Sequence, residues 1–197
     1  MRNYVRSIVL LLALGLSEPV RAGQLEDADA AYGKEDYATA LRLLRPLAAQ
    51  GNARAQFNLG LMYDLGLRVP KDYAQAVKWY RLAADRGYAR AQFNLGFMYE
   101  FGQGVPKDYA QAVKWYRLAA DQGNAWAQNN LGLMYQAGDG VPQDYVEAHK
   151  WFNLAAAGAS DADTRKRAAK ARDDLAKRMI PAQVAEAQKR ASAWQPK

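Results

Sequence analysis

Residues 53–88 read ARAQFNLGLMYDLGLRVPKDYAQAVKWYRLAADRGY, and residues 89–124 repeat that line with 29 of 36 positions identical. Residues 125–160 carry it a third time, more loosely. A fixed period of this length marks a stacked array, in which each unit covers the apolar face of the next. Such arrays usually hold a partner, so the repeat points to a binding job without naming what is bound.

Each unit reads as two helices. In residues 53–88, helix A is predicted over Ala53–Leu65, with Ala55, Leu59, Met62 and Tyr63 on one side and Gly60 allowing a close helix approach. The turn Gly66-Leu67-Arg68-Val69-Pro70 stops it. Helix B starts at Asp72, where Asp72 and Gln75 form a capping pattern that returns as Asp108 with Gln111 and Asp144 with Glu147. Its apolar stripe is Tyr73, Ala76, Val77, Tyr80, Ala83 and Ala84, and Gly87 offers a left-handed stop. Trp79 and Leu82 lie off that stripe, as do Trp115, Leu118, Trp151 and Leu154. A helix apolar on two sides is one sandwiched between neighbours.

Working outward, Asp36-Tyr37-Ala38 precedes Asp72-Tyr73-Ala74 by one period, so residues 23–52 hold a divergent hairpin with the shorter turn Gly33-Lys34-Glu35. Beyond the repeats at 53–88, 89–124 and 125–160, residues 161–197 form a basic cap of two helices. Ser160 with Asp163 is expected to cap the first, running from Asp161 to about Met179, and Pro181 opens a last helix reaching Trp194. At the other end, Arg2 and Arg6 precede an apolar run from Ile8 to Leu16, and Val20-Arg21-Ala22 has the small residues of a peptidase site. Residues 1–22 therefore read as a signal peptide cleaved after Ala22, which places the protein in the periplasm or outside the cell. The run is shorter than the ~20 residues a spanning helix needs, and no transmembrane span is expected after cleavage.

The chain has no cysteine, which excludes a disulfide framework and thiolate metal sites. Its net charge of +7 is unevenly placed. Residues 23–160 hold 14 basic and 14 acidic side chains, whereas residues 161–197 hold ten basic and five acidic.

The motifs Ala55-x-x-x-Leu59-Gly60-x-x-Tyr63, Gly102-x-Gly104-Val105-Pro106 and Asp108-Tyr109-x-x-Ala112-x-x-Trp115-x-x-x-Ala119-Ala120 resemble the Sel-one-like repeat (SLR) family, a relative of the tetratricopeptide repeats. The resemblance covers 53–160 directly, and the 25–52 hairpin looks closer to a tetratricopeptide unit. It implies an all-α fold, a right-handed α-solenoid of antiparallel helix pairs, serving as an interaction scaffold in bacteria and often exported. Members are linked to envelope signalling, exopolysaccharide or cell-wall assembly and host contact. A cysteine-rich branch is associated with β-lactam binding and hydrolysis, and this chain lacks that branch's paired cysteines. One departure is Arg68, which stands where Gly104 and Gly140 keep the second glycine of the turn. A positive φ there would strain this turn.

Chemistry finds little footing. His149 is the single histidine, in the place of Val77 and Val113, and reads as a packing residue; no nucleotide or phosphate loop appears. No cofactor, metal or nucleic-acid partner is expected. The better candidate is a surface. On helix A, the side opposite the core carries Arg54, Phe57, Leu61, Asp64 and Leu65; then Arg90, Phe93, Phe97, Glu100 and Phe101; then Trp126, Asn129, Leu133, Gln136 and Ala137. The resemblance implies that this face lines a concave groove, suited to a protein or peptide partner. Phe57 and Phe93 also have the size to wedge between A helices, and both readings stand. A second candidate is the basic cap, where Arg165, Lys166, Arg167, Lys170, Arg172, Lys177 and Arg178 could meet an anionic envelope surface. The leading function is thus a non-catalytic exported scaffold, against a cell-wall or β-lactam-directed enzyme and a purely self-associating protein.

Overall fold

A computed structural model describes residues 23–197. The signal peptide expected over 1–22 lies outside the described residues. Ten helices and no strand fill the described chain: α1 (Gln24–Gly33), α2 (Tyr37–Ala49), α3 (Ala53–Leu65), α4 (Tyr73–Ala84), α5 (Ala89–Phe101), α6 (Tyr109–Asp121), α7 (Ala125–Ala137), α8 (Tyr145–Gly158), α9 (Ala162–Ala176) and α10 (Pro181–Ser192). Helices α3, α5 and α7 are the expected A helices and α4, α6 and α8 the B helices. Each B helix packs on its own A helix and on the next one along, which makes the all-α solenoid. None of the described helices is long and apolar enough to cross a membrane.

The helix starts follow from short polar side chains. Asp36, Asp72, Asp108 and Asp144 each accept a backbone N–H of the first turn, as Asn52 and Asn124 do ahead of α3 and α7. Each such cap stabilises by about 1 kcal/mol. The turn before each B helix closes on one bond, from Asp72 N to Tyr63 O, from Asp108 N to Tyr99 O and from Asp144 N to Tyr135 O, each 2.9 Å. In the divergent hairpin the same bond runs from Asp36 N to Ala31 O. The α9 cap differs from expectation: Asp161, not Ser160, accepts from the Thr164 N–H at 2.7 Å, and the helix ends at Ala176. Only Asp161 stands one position before α9, where its carboxylate reaches the third backbone N–H.

Glycine decides how tightly each pair closes. A Cβ on Gly60, Gly96 or Gly132 would sit 2.6–2.7 Å from the ring of Tyr80, Tyr116 or Phe152, so each B-helix ring lies flat on bare A-helix backbone. Between units, buried Gln56, Gln92 and Gln128 donate to the carbonyls of Ala48, Ala84 and Ala120 at 3.0–3.1 Å. These are carbonyls at the end of the preceding B helix, which lack partners within it. The tryptophans behave as sandwiched side chains: Trp79, Trp115 and Trp151 each pack on the core of the unit before their own. Leu118 departs from this and is exposed.

The cap is a fork more than a pair. Helices α9 and α10 both pack against α8. Arg190 on α10 reaches Glu147 on α8 at 2.9 Å, and Lys197 reaches Asp121 on α6 at 3.0 Å.

Candidate functional site

The A-helix face gathers most of the apolar surface left open. Seven large hydrophobic side chains are exposed among the described residues, and five of them lie here: Leu65, Phe97, Phe101, Trp126 and Leu133, at 38–57% exposure. The rings of Phe97 and Phe101 meet at 4.5 Å between centroids. Three hollows open along this face. One of about 240 Å³ is lined by Asp64, Phe93, Asn94, Phe97 and Met98. One of about 250 Å³ is lined by Glu100, Leu133, Met134, Gln136, Ala137 and Asp139. The largest, about 390 Å³, lies between Phe93, Phe97, Trp126, Asn129 and Arg167.

Two residues placed on this face by helical spacing belong to the packing. Phe57 is 7% exposed, its ring held by Tyr80 at 5.9 Å and Tyr88 at 5.2 Å. Phe93 is half-buried between Tyr116 and Trp126, at 5.7 and 5.9 Å, and also lines two of the hollows. Both sit nearest the unit interface, where side chains of the B helix and of the next unit cover them. Arg54 is tied to Asp29 at 2.6 Å, while Leu61 and Asn129 are half-buried and Arg90 is exposed.

Beneath the apolar side chains runs a polar row that the helical pattern does not reveal. The Tyr80 hydroxyl donates to Asp64 Oδ2 at 3.0 Å, with Asn94 beside it. One unit on, the Tyr116 hydroxyl donates to Glu100 Oε2 at 2.6 Å and accepts from Asn130 Nδ2 at 3.1 Å. Burial first, and the adjoining carboxylates after it, raise both phenols above their ordinary range, so they remain donors. In the third unit the acid becomes Gln136 and the phenol becomes Phe152. Acid and phenol are kept or lost together, which is the signal in the sequence that could have found them.

The basic cap is mostly spoken for. Arg165 donates to the Ala159 carbonyl at 2.7 Å, Lys170 and Lys177 pair with Asp174, Arg172 with Asp173 and Asn153, and Arg178 with the Tyr145 hydroxyl. Lys166 and Arg167 take no ion pair among the described residues, and Arg167 lines the largest hollow. Arg165 and Arg178 keep their full charge, because their partners are neutral, and only Asp173 and Asp174 offset the seven cations. Thr164 anchors this end of the face by accepting from the Trp126 indole at 3.0 Å.

The Sel1 repeat pattern matches residues 28–52, 53–88, 89–124 and 127–160. The chain belongs to the Sel1 repeat family. Four Sel1 units are counted, since the pattern takes in the hairpin that looked closer to a tetratricopeptide unit. A protective antigen present in uropathogenic Escherichia coli strains, displaying an SLR fold, is similar at 44% identity and TM-score 0.67, over 72% of this chain and 31% of that one. A Sel1 repeat protein from Oxalobacter formigenes is similar at 38% identity and TM-score 0.69, over 75% and 57%. The chain thus spans less than two thirds of either protein. No curated protein matches it.

His149 is only 2% exposed, and its Nδ1 has no hydrogen-bond partner. Burial, and then the Arg172 guanidinium, lower its pKa from 6.5, with Asp173 partly opposing. A lowered histidine favours the fold fully above pH 6.5, and that stability is lost as pH falls, because the unfolded chain takes the proton first. His149→Val, which restores the residue of the other two units, is expected to flatten the melting temperature between about pH 6.5 and about pH 5. An unchanged slope in pH-dependent melting would show that other groups set it.

Proposed function

We propose that this Sel1 repeat protein is a non-catalytic scaffold of the bacterial cell envelope, exported by cleavage after Ala22, which holds a segment of a partner protein on its A-helix face. The single observation behind this reading is the concentration there of Leu65, Phe97, Phe101, Trp126 and Leu133. Apolar side chains left open in one stripe, next to hollows of side-chain size, suit an extended or helical segment. The similarity to a protective antigen agrees with a place outside the cytoplasm. A β-lactam-directed enzyme is disfavoured because the cysteines of that branch are missing.

Phe97→Asp together with Phe101→Asp tests it. Both rings are exposed, so melting is expected to stay within a few degrees of the parent while crosslinked capture from envelope extract falls at least about ten-fold. Unchanged capture would overturn the docking assignment, and unfolding would show the two rings to be core. Export is checked by the mass of the periplasmic protein, which should begin at Gly23; a chain retaining Met1 would count against it.

A further inference from the structure

Asp64 and Glu100 are half-buried carboxylates on the open face, and neither has an ion pair among the described residues. The lysines that feel their charge stop short of contact: Lys71 stands over the Tyr73 ring at 4.6 Å and Lys107 over the Tyr109 ring at 4.4 Å. A carboxylate withdrawn from water costs free energy unless charge or hydrogen bonds offset it. Here one neutral phenol O–H donor serves each, which fixes the carboxylate's direction and leaves it without a cation in direct contact.

The two acids also sit in matching hollows one repeat apart. Asp64 shares its hollow with Phe97 and Met98, and Glu100 shares the next with Leu133 and Met134. Each hollow thus combines an apolar wall, a methionine floor and an anchored anion. A lysine or arginine side chain fits that combination, its alkyl stem on the wall and floor and its head on the carboxylate. Asp139 adds a second negative charge to the Glu100 hollow.

Resting on the docking reading above, we propose that the face takes a basic, apolar-flanked segment of the partner protein, with one lysine or arginine on Asp64 and another on Glu100. Helix α4 packs on both α3 and α5, which sets the two acids one repeat apart along the face. An acidic segment on Arg167 is the competing occupant. It is the weaker fit, because Arg167 is exposed and already solvated, whereas Asp64 and Glu100 are half-buried.

Fluorescence anisotropy with three labelled nonapeptides decides between them. All carry the same leucines, and the same two positions hold lysine, norleucine or glutamate. The lysine peptide is expected to bind at least about ten-fold tighter than the norleucine peptide, an advantage that shrinks between about 50 and about 500 mM salt. Asp64→Asn with Glu100→Gln should bring lysine and norleucine binding to within about two-fold of each other. Both replacements keep an oxygen for the Tyr80 and Tyr116 hydroxyls, and circular dichroism reports whether the fold survives. Equal lysine and norleucine binding, or tightest binding by glutamate, would overturn the inference while leaving the docking face standing. No binding by any of the three also overturns it, and the docking reading is then judged by its own capture experiment. A lysine advantage that survives in the double variant sinks it too.

Discussion

Gly104→Ala should lower stability by about 3 kcal/mol or more, whereas Arg68→Gly, the reverse exchange at the same repeat position, should raise it by about 0.5–1 kcal/mol. Gly104 has φ 70° and lies against the backbone of the preceding unit, so an added Cβ would fall well inside contact with the Tyr73 carbonyl. Backbone at the capped start of α4 has no rotamer with which to give way. The turn must lift off, and Val105, which packs on the apolar cluster of the preceding unit, would leave with it. Arg68 holds the same left-handed conformation at φ 62°, next to Asp36 at the start of α2. Since a Cβ is already accommodated there, glycine removes only the left-handed strain, less its own greater loss of freedom on folding. Thermal unfolding of both variants checks the pair, and a shift of the same sign in both would refute it.

Much of this fold is written in local chemistry, and so could be read before any coordinates. The bounds of α3, the caps at Asp72, Asp108 and Asp144, and the left-handed Arg68 depend on residues within a few positions of each other. What escaped reading depends on neighbours a unit away. Gln92 falls on the core side by helical spacing, but nothing local announces the Ala84 carbonyl at the end of α4 that its amide meets. Phe57 looks like a groove residue until Tyr88, 31 positions later, covers it. In the basic cap, too, composition counts cations but cannot show the Asn153 and Tyr145 that α8 presents to Arg172 and Arg178. The exposure of Leu65 on α3 and of Phe97 and Phe101 on α5 was legible because helix geometry alone turns them away from the core.

The repeat also states its own rule for closing a helix pair, and a double substitution can test it. Gly132→Ala places a methyl 2.6 Å from the ring of Phe152, a member of the largest apolar cluster. Overpacking a site with both helices pinned costs about 2–3 kcal/mol. The divergent hairpin shows how the chain avoids that cost. There α1 has Ala28 at the glycine position, and α2 answers with Leu44 in place of an aromatic ring, both fully buried. Phe152→Leu alone should destabilise by about 1–2 kcal/mol through the space it leaves. Added to Gly132→Ala, it should recover stability, so that the double variant is more stable than Gly132→Ala alone. The coupling between the two sites should reach about 2 kcal/mol, a value typical of side chains in direct contact. Additive losses in a denaturant double-mutant cycle would mean that α7 and α8 can separate locally. In that case ring-on-glycine contact would not be what sets the spacing of the solenoid.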